Sequence, residues 1–305
     1  MPPSLYAFLL LFLLGATLRF FNLFTKAHTE RLAWIVFSIT LPATILISLD
    51  RASFAPTAWK LPLAACVVTI PLVLTSWQLS RLLQLPRPTR GGYILAAGCI
   101  NSVYFAYPVV LATFGDEGLA RAILFDLGQT TLTLTLLYAI AVGHGDGPGS
   151  IKSSALRFLS APPFMALSLI LLLKLLEWSL PHGLVTLLTP LHLATTPLAS
   201  LVLGLSISFA ALKRTWRLAL LGVATRMVGG LLMGFLAAWL LDLSGMARAL
   251  VILVAAMPSA VTAVIFATET HLDEDLVASI VALSICFGMA LLPWLPNIAT
   301  ILFIE

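Results

Sequence analysis

Charge is what this sequence has least of. Only 10% of its 305 residues are Asp, Glu, Lys or Arg, where an ordinary soluble domain carries about a quarter. That scarcity excludes a soluble enzyme, a disordered chain and a secreted domain, each of which depends on solvated surface. Cysteine is scarce too. Cys66, Cys99 and Cys286 are odd in number, far apart and embedded in apolar runs, which leaves neither a disulfide framework nor a zinc pattern. The chain has no His-Glu-x-x-His, no Gly-x-Ser-x-Gly and no phosphate-binding Gly-Lys-Ser/Thr motif. The last absence excludes an ATP-driven pump within this chain. His28, His144, His182, His192 and His271 show no ligand spacing, and most of them fall in predicted loops.

Apolar residues fill the space that charge leaves. They make up 60% of the chain, the mean hydropathy is +1.04, and the solvent for most of it must be lipid. A bilayer span needs roughly 20 mostly apolar residues, and ten runs qualify. They cover Ser4 to Phe21, Leu32 to Leu49, Ala58 to Leu79, Tyr93 to Phe114 and Leu119 to Val142. After a Gly- and Ser-rich break come Pro162 to Leu180, Leu187 to Ala211, Trp216 to Leu241, Arg248 to Thr268 and Leu276 to Phe303. The first residues lack a basic region and a cleavage site and read as the start of a span rather than as a signal peptide. Gly143–Ser160 reads as a flexible linker.

Basic residues are distributed unequally between the two sides. Arg19, Lys26, Arg31, Arg81, Arg87, Arg90, Lys152, Arg157, Lys213, Arg214 and Arg217 fall on one; Arg51, Lys60, Arg121, Lys174 and Arg248 fall on the other. The rich side is expected to be cytoplasmic, with both termini outside. Trp34, Trp59, Trp178, Trp216, Trp239 and Trp294 mostly sit near span ends, as interface anchors do.

The second half echoes the first. Leu41-Pro42-Ala43 corresponds to Thr196-Pro197-Leu198, Ala112-Thr113 to Ala267-Thr268, and Asp116-Glu117-Gly118-Leu119-Ala120 to Asp273-Glu274-Asp275-Leu276-Val277. A five-plus-five repeat follows, residues 1–150 and 151–305, with the second copy inverted because five is odd. Inverted repeats of this kind mark many secondary transporters. Spans four and nine each carry proline within an apolar run, Pro108 in one and Pro258 in the other, so both should kink or break. Broken backbone at membrane depth survives only where protein or a watery cavity satisfies it, which makes paired breaks a pointer to a midplane site. Asn101, Ser102 and Tyr104 accompany the first break; Ser259 and Thr262 accompany the second. Unwound helix ends expose N–H groups and favour an anion.

These residues resemble the auxin efflux carrier family, which includes plant auxin exporters and bacterial permeases for malonate and similar organic acids. The resemblance rests on Asn101 followed after six residues by Pro108, on Phe125-Asp126-Leu127-Gly128-Gln129 with Gln in the last place, and on Pro258 to Ala263 with Thr262 in place of Asn. The run Asp275 to Ser284 also looks like the family's tenth span. The resemblance implies an all-α membrane fold of two inverted five-helix repeats, with scaffold and transport domains drawn from both and spans four and nine crossing beside the substrate. Val103 and Ala106 stand where the family usually has glycine, which implies a tighter cavity.

Asp126 and Arg226 are the ionisable groups most clearly inside spans, and a charge there usually faces a partner or a water-filled path. Asp126, with Gln129 beside it, is a candidate for coupling to H+ or Na+. Arg226 is a candidate counter-charge, for the substrate or for Asp126 itself. Gly230 and Gly234 fit close helix packing. The acidic run Asp273 to Asp275 reads as a helix N-terminus. The expectation is a secondary transporter for a small mono- or dicarboxylate, malonate-like or auxin-like. It needs no cofactor and no nucleic acid, and works in a bacterial inner membrane as monomer or homodimer. A membrane channel or a sensory membrane subunit is the alternative, and an intramembrane enzyme would need more than one lone Asp.

Overall fold

The computed structural model describes residues 2–53, 56–150, 156–157, 159–207 and 212–295. Lys152, the end of the seventh predicted span, the last part of the tenth and Glu305 itself lie outside them. Regular structure among the described residues is helical, apart from a single antiparallel bridge between Ile100 and Ser259.

The helices follow the apolar runs. They are α1 (Pro3–Phe20), α2 (Lys26–Arg51), α3 (Lys60–Leu82), α4 (Arg87–Gly98), α5 (Ser102–His144), α6 (Pro162–Leu175), α7 (His182–Leu205), α8 (Leu212–Leu240), α9 (Gly245–Ala255), α10 (Val261–Thr270) and α11 (Glu274–Leu291). Local chemistry sets their ends. Thr25 and His28 form a reciprocal capping box at α2, and the Asp273 carboxylate accepts the Leu276 N–H at 3.1 Å to start α11, with Glu274 and Asp275 in the first turn where the helix dipole favours acid. The acidic run is thus a helix cap. Proline acts unevenly: α3 continues past Pro71, whereas π turns at Val36–Thr40 and Ser102–Ala106 occur just before Pro42 and Pro108 withdraw a donor.

Seven of these helices, not ten, are long and apolar enough to cross a membrane: α1, α2, α3, α5, α7, α8 and α11. The difference has three local causes. Predicted spans four and nine are interrupted, which leaves α4, α9 and α10 short. The sixth forms only 14 helical residues. Spans four and five are joined in one 43-residue run, divided only at Gly115, whose φ of 66° and ψ of −164° belong to a region that suits glycine.

The chain separates into two compact units, each assembled from discontinuous segments. Unit 1 takes Met1–Pro56, Val103–Ile123 and Leu156–Ile207; unit 2 takes Thr57–Ser102, Leu124–Ala155 and Ser208–Glu305. In unit 1, α1 lies along α7 and α2 packs on α6 and α7. Glycine makes the first contact close: a side chain at Gly15 would strike the Leu201 carbonyl, and one at Gly204 would strike the Phe12 carbonyl and the Ala16 nitrogen. The Ser200 hydroxyl donates to the Phe8 carbonyl at 2.5 Å across the same contact. In unit 2, α8 packs on α3, α9 and α11, and α4 packs on α3 and α11. Gly230 and Gly234 of α8 lie against Ala255 and Ile252 of α9.

Candidate functional site

Unit 2 contains two helix interruptions that meet. After α4 ends at Gly98, Cys99 turns extended, and after α9 ends at Ala255, Ala256 to Ala260 precede α10. The Asn101 N–H donates to the Pro258 carbonyl at 2.9 Å and the Ala260 N–H donates to the Cys99 carbonyl at 3.2 Å. These are the bonds of one step of antiparallel sheet, made by backbone that left both helices.

A helix end normally leaves four carbonyls without partners, and burial makes that costly. At α4 each of the four has one. The Leu95 carbonyl accepts from the Cys99 N–H at 3.1 Å, Ala96 from the Ser259 hydroxyl at 2.7 Å, Ala97 from Arg226 Nη1 at 3.0 Å and Gly98 from Gln129 Nε2 at 3.0 Å. At α9 the Ile252 and Leu253 carbonyls share the Ala256 N–H, and Val254 takes the Met257 N–H. The Ala255 carbonyl accepts from Arg226 Nη2 and the Met257 carbonyl from Arg226 Nε, the latter at 3.2 Å. One guanidinium therefore closes both helix ends.

The charges balance as well. Each helix C-terminus carries about half a negative charge, so two together offset roughly the single positive charge of Arg226. That is how an arginine with 0% exposure stands in the interior while its donors go to carbonyls. The sequence left an Asp126–Arg226 ion pair open beside a coupling role for Asp126 and a substrate role for Arg226. Among the described residues Arg226 makes its polar contacts with backbone instead, because two converging helix ends already supply the countercharge.

The remaining polar residues are built around this point. The Asn101 side chain donates to the Ser259 carbonyl at 3.4 Å, the Ser102 hydroxyl donates to Asp126 at 2.5 Å, and the Ser259 N–H donates to the Ser284 hydroxyl at 3.0 Å. Gln129 is held in turn by the Thr69 hydroxyl, which donates to its side-chain oxygen, and Nε2 reaches Thr133 at 3.3 Å. Gly128 permits α5 to approach α3: a side chain there would meet the Pro62 carbonyl.

Of the residues singled out from sequence, Asn101, Ser102, Pro258, Ser259, Asp126, Gln129 and Arg226 come together in unit 2. Thr262 lies exposed in the first turn of α10. Tyr104 and Pro108 belong to unit 1, where the Tyr104 hydroxyl donates to the Ala33 carbonyl at 3.4 Å and the residue packs on Val36, Ala199 and Val202. The break expected at Pro108 falls earlier, at Cys99 to Asn101, because the π turn accommodates the proline and α5 runs on through it. The histidines were expected mostly in loops, yet His28 and His192 lie within helices and His144 and His182 at helix ends. Ser284, Thr69 and Thr133 were missed; their only signal is a hydroxyl within an apolar run.

A model of the family described as membrane transport protein matches residues 4–147 and 149–295. The chain belongs to this family, that of the auxin efflux carriers. It is 32% identical to an uncharacterized transporter of Methanothermobacter thermautotrophicus, over 93% of this chain and 94% of that one. It is 29% identical to an uncharacterized transporter of Methanocaldococcus jannaschii, over 92% and 93%. As a member of this family it is an integral membrane protein, and α1, α7 and α8 expose large apolar side chains to match: Leu10, Leu13 and Phe20, Leu187 and Leu193, Leu232 and Trp239.

Proposed function

We propose that this protein is a secondary transporter that moves a small organic anion, a mono- or dicarboxylate of malonate-like or auxin-like kind, by alternating access. The observation that carries the reading is the pair of helix breaks joined at Ile100 and Ser259, with Asn101 at the junction. Arg226 occupies the C-terminal ends of the two interrupted helices, so their negative poles are already neutralised. α10 begins directly after the second break with its N–H groups and positive pole toward it, which favours a carboxylate. Asn101 makes one long bond to Ser259; among the described residues its amide oxygen and second N–H are uncommitted, and an amide can both donate to and accept from a ligand.

In this reading the short helices join across their breaks, and ten spans form two inverted five-helix repeats whose interrupted members cross beside the substrate. Both termini are outside, the membrane is a bacterial inner membrane, and Asp126 is the coupling group for H+ or Na+. The test is uptake of labelled malonate and of an aromatic monocarboxylate into proteoliposomes, with counterflow. Saturable counterflow that is lost in Asn101→Ala, with normal membrane insertion, is the expected result. Non-saturable flux would make it a channel, and wild-type affinity and turnover in Asn101→Ala would remove that residue from the site.

A further inference from the structure

Unit 1 contains a buried histidine that the transport reading does not use. His192 lies inside α7 with its side chain 4% exposed. Its Nδ1 is 3.4 Å from the Thr44 hydroxyl of α2, and its Nε2 is 3.3 Å from Asp116 Oδ1, just past the Gly115 turn of α5. The other carboxylate oxygen holds Arg51 at 2.8 Å. We propose that His192 and Asp116, with Thr44 behind them, form a proton-binding site.

A chain of hydroxyls leads to the ring. In this proposal the Thr195 hydroxyl donates to the Leu191 carbonyl at 3.2 Å and Thr44 donates at the 2.7 Å contact between the two hydroxyls. Thr44 then has no hydrogen left for the ring and must accept, which places the neutral ring's hydrogen on Nδ1. Nε2 is then a lone pair facing Oδ1, a buried carboxylate oxygen that has no hydrogen-bond partner among the described residues. Two acceptors stand 3.3 Å apart, and a proton taken up by the ring turns their repulsion into the attraction of an ion pair. Loading forms the Nε2–H bond, and the imidazolium takes the charge. The proton comes from water at Asp116, which is 28% exposed and lies between the buried ring and the 45% exposed Arg51. The cluster passes from neutral to a net single positive charge.

The surrounding charges leave this pair to itself. On α2, Asp50 accepts the Leu180 N–H at 2.9 Å; on α6, Lys174 donates to the carbonyls of Asp50 and Ala52. On α5, Glu117 pairs with Arg121 at 2.8 Å, and α1 offers only Tyr6 and Arg19. The charges that act on His192 are those of Asp116 and Arg51. This site is separate from the Asn101 junction and does not rest on which anion is carried.

The experiment is imidazole 15N NMR of the full chain, histidine-labelled and held in lipid nanodiscs, from about pH 4.5 to pH 9, the range in which imidazole ordinarily changes charge. His192→Gln assigns the resonance. The expected result is a neutral ring hydrogenated at Nδ1 that gains a proton at Nε2 within the range. Asp116→Asn removes the countercharge and should lower the midpoint by about one pH unit or more, while Arg51→Gln removes a like charge and should raise it. A ring whose protonation never changes, or a midpoint identical in wild type and Arg51→Gln, would overturn the proposal. Arg51 is surface-exposed, so that variant decides the matter even if Asp116→Asn fails to fold.

Discussion

Arg226 is the residue on which the junction depends most. Its three hydrogen bonds serve carbonyls at the ends of two helices, and no other described group reaches the Ala97 or Ala255 carbonyl from outside its own helix. Arg226→Met keeps much of the volume but orphans those acceptors, each of which costs about 1–3 kcal/mol when buried. A loss of roughly 3 kcal/mol or more is expected, read as a lowered unfolding midpoint in detergent. Arg226→Lys should be nearly as damaging, because a single ammonium lacks the planar fork that spans separate acceptors. Asp126→Asn should behave differently. Its Oδ1 still accepts from Ser102, and Arg226 keeps its carbonyl partners, so stability should stay within about 1 kcal/mol of wild type. Transport should nevertheless lose its response to a pH or sodium gradient. A large fall in stability with intact gradient response would make Asp126 a structural residue only.

Among the elements, the α1–α7 contact has the least tolerance. Gly15 and Gly204 bring two backbones together where a methyl group would overlap carbonyl oxygens rather than movable side chains. Gly204→Val should cost about 1–3 kcal/mol at least, since overpacking against backbone has little room to relax. Thermal unfolding measures it, and unchanged stability would mean that the helices can separate without loss. The interrupted elements show the limits of reading breaks from proline. Pro258 lies in its break and Pro108 does not, although both sit in the middle of apolar runs. At Pro108 the π turn Ser102–Ala106 absorbs the missing donor, whereas the first break is set by partners that α4's last carbonyls find on other helices.

Over the whole molecule, both compact units draw on early and late parts of the chain, so neither half of the sequence corresponds to one of them. The membrane orientation is a property at this scale, and it follows from basic residues summed over all loops. A reporter fused after Gly147 should be active only in the cytoplasm, and one fused after Glu305 only outside. A cytoplasmic C-terminus would overturn the proposed orientation and the proposed count of ten spans.

Family, class and most of the junction residues were legible in the sequence, because each depends on local composition. Apolar runs specify helices and a lipid solvent wherever they lie, and Asn101, Ser259 and Asp126 stand out as polar groups inside such runs. Partnership was not legible. A pair of Arg226 with Asp126 was open as one of two readings of the charges in lipid, yet what compensates Arg226 is peptide dipoles, which every sequence possesses and none displays. His192, Thr44 and Asp116 are separated by 148 and 76 residues, and each alone is an ordinary residue of a helix or a turn. Only the tertiary structure brings backbone carbonyls, a guanidinium and distant side chains within hydrogen-bond reach, and at that range direction and distance decide which charge is satisfied by what.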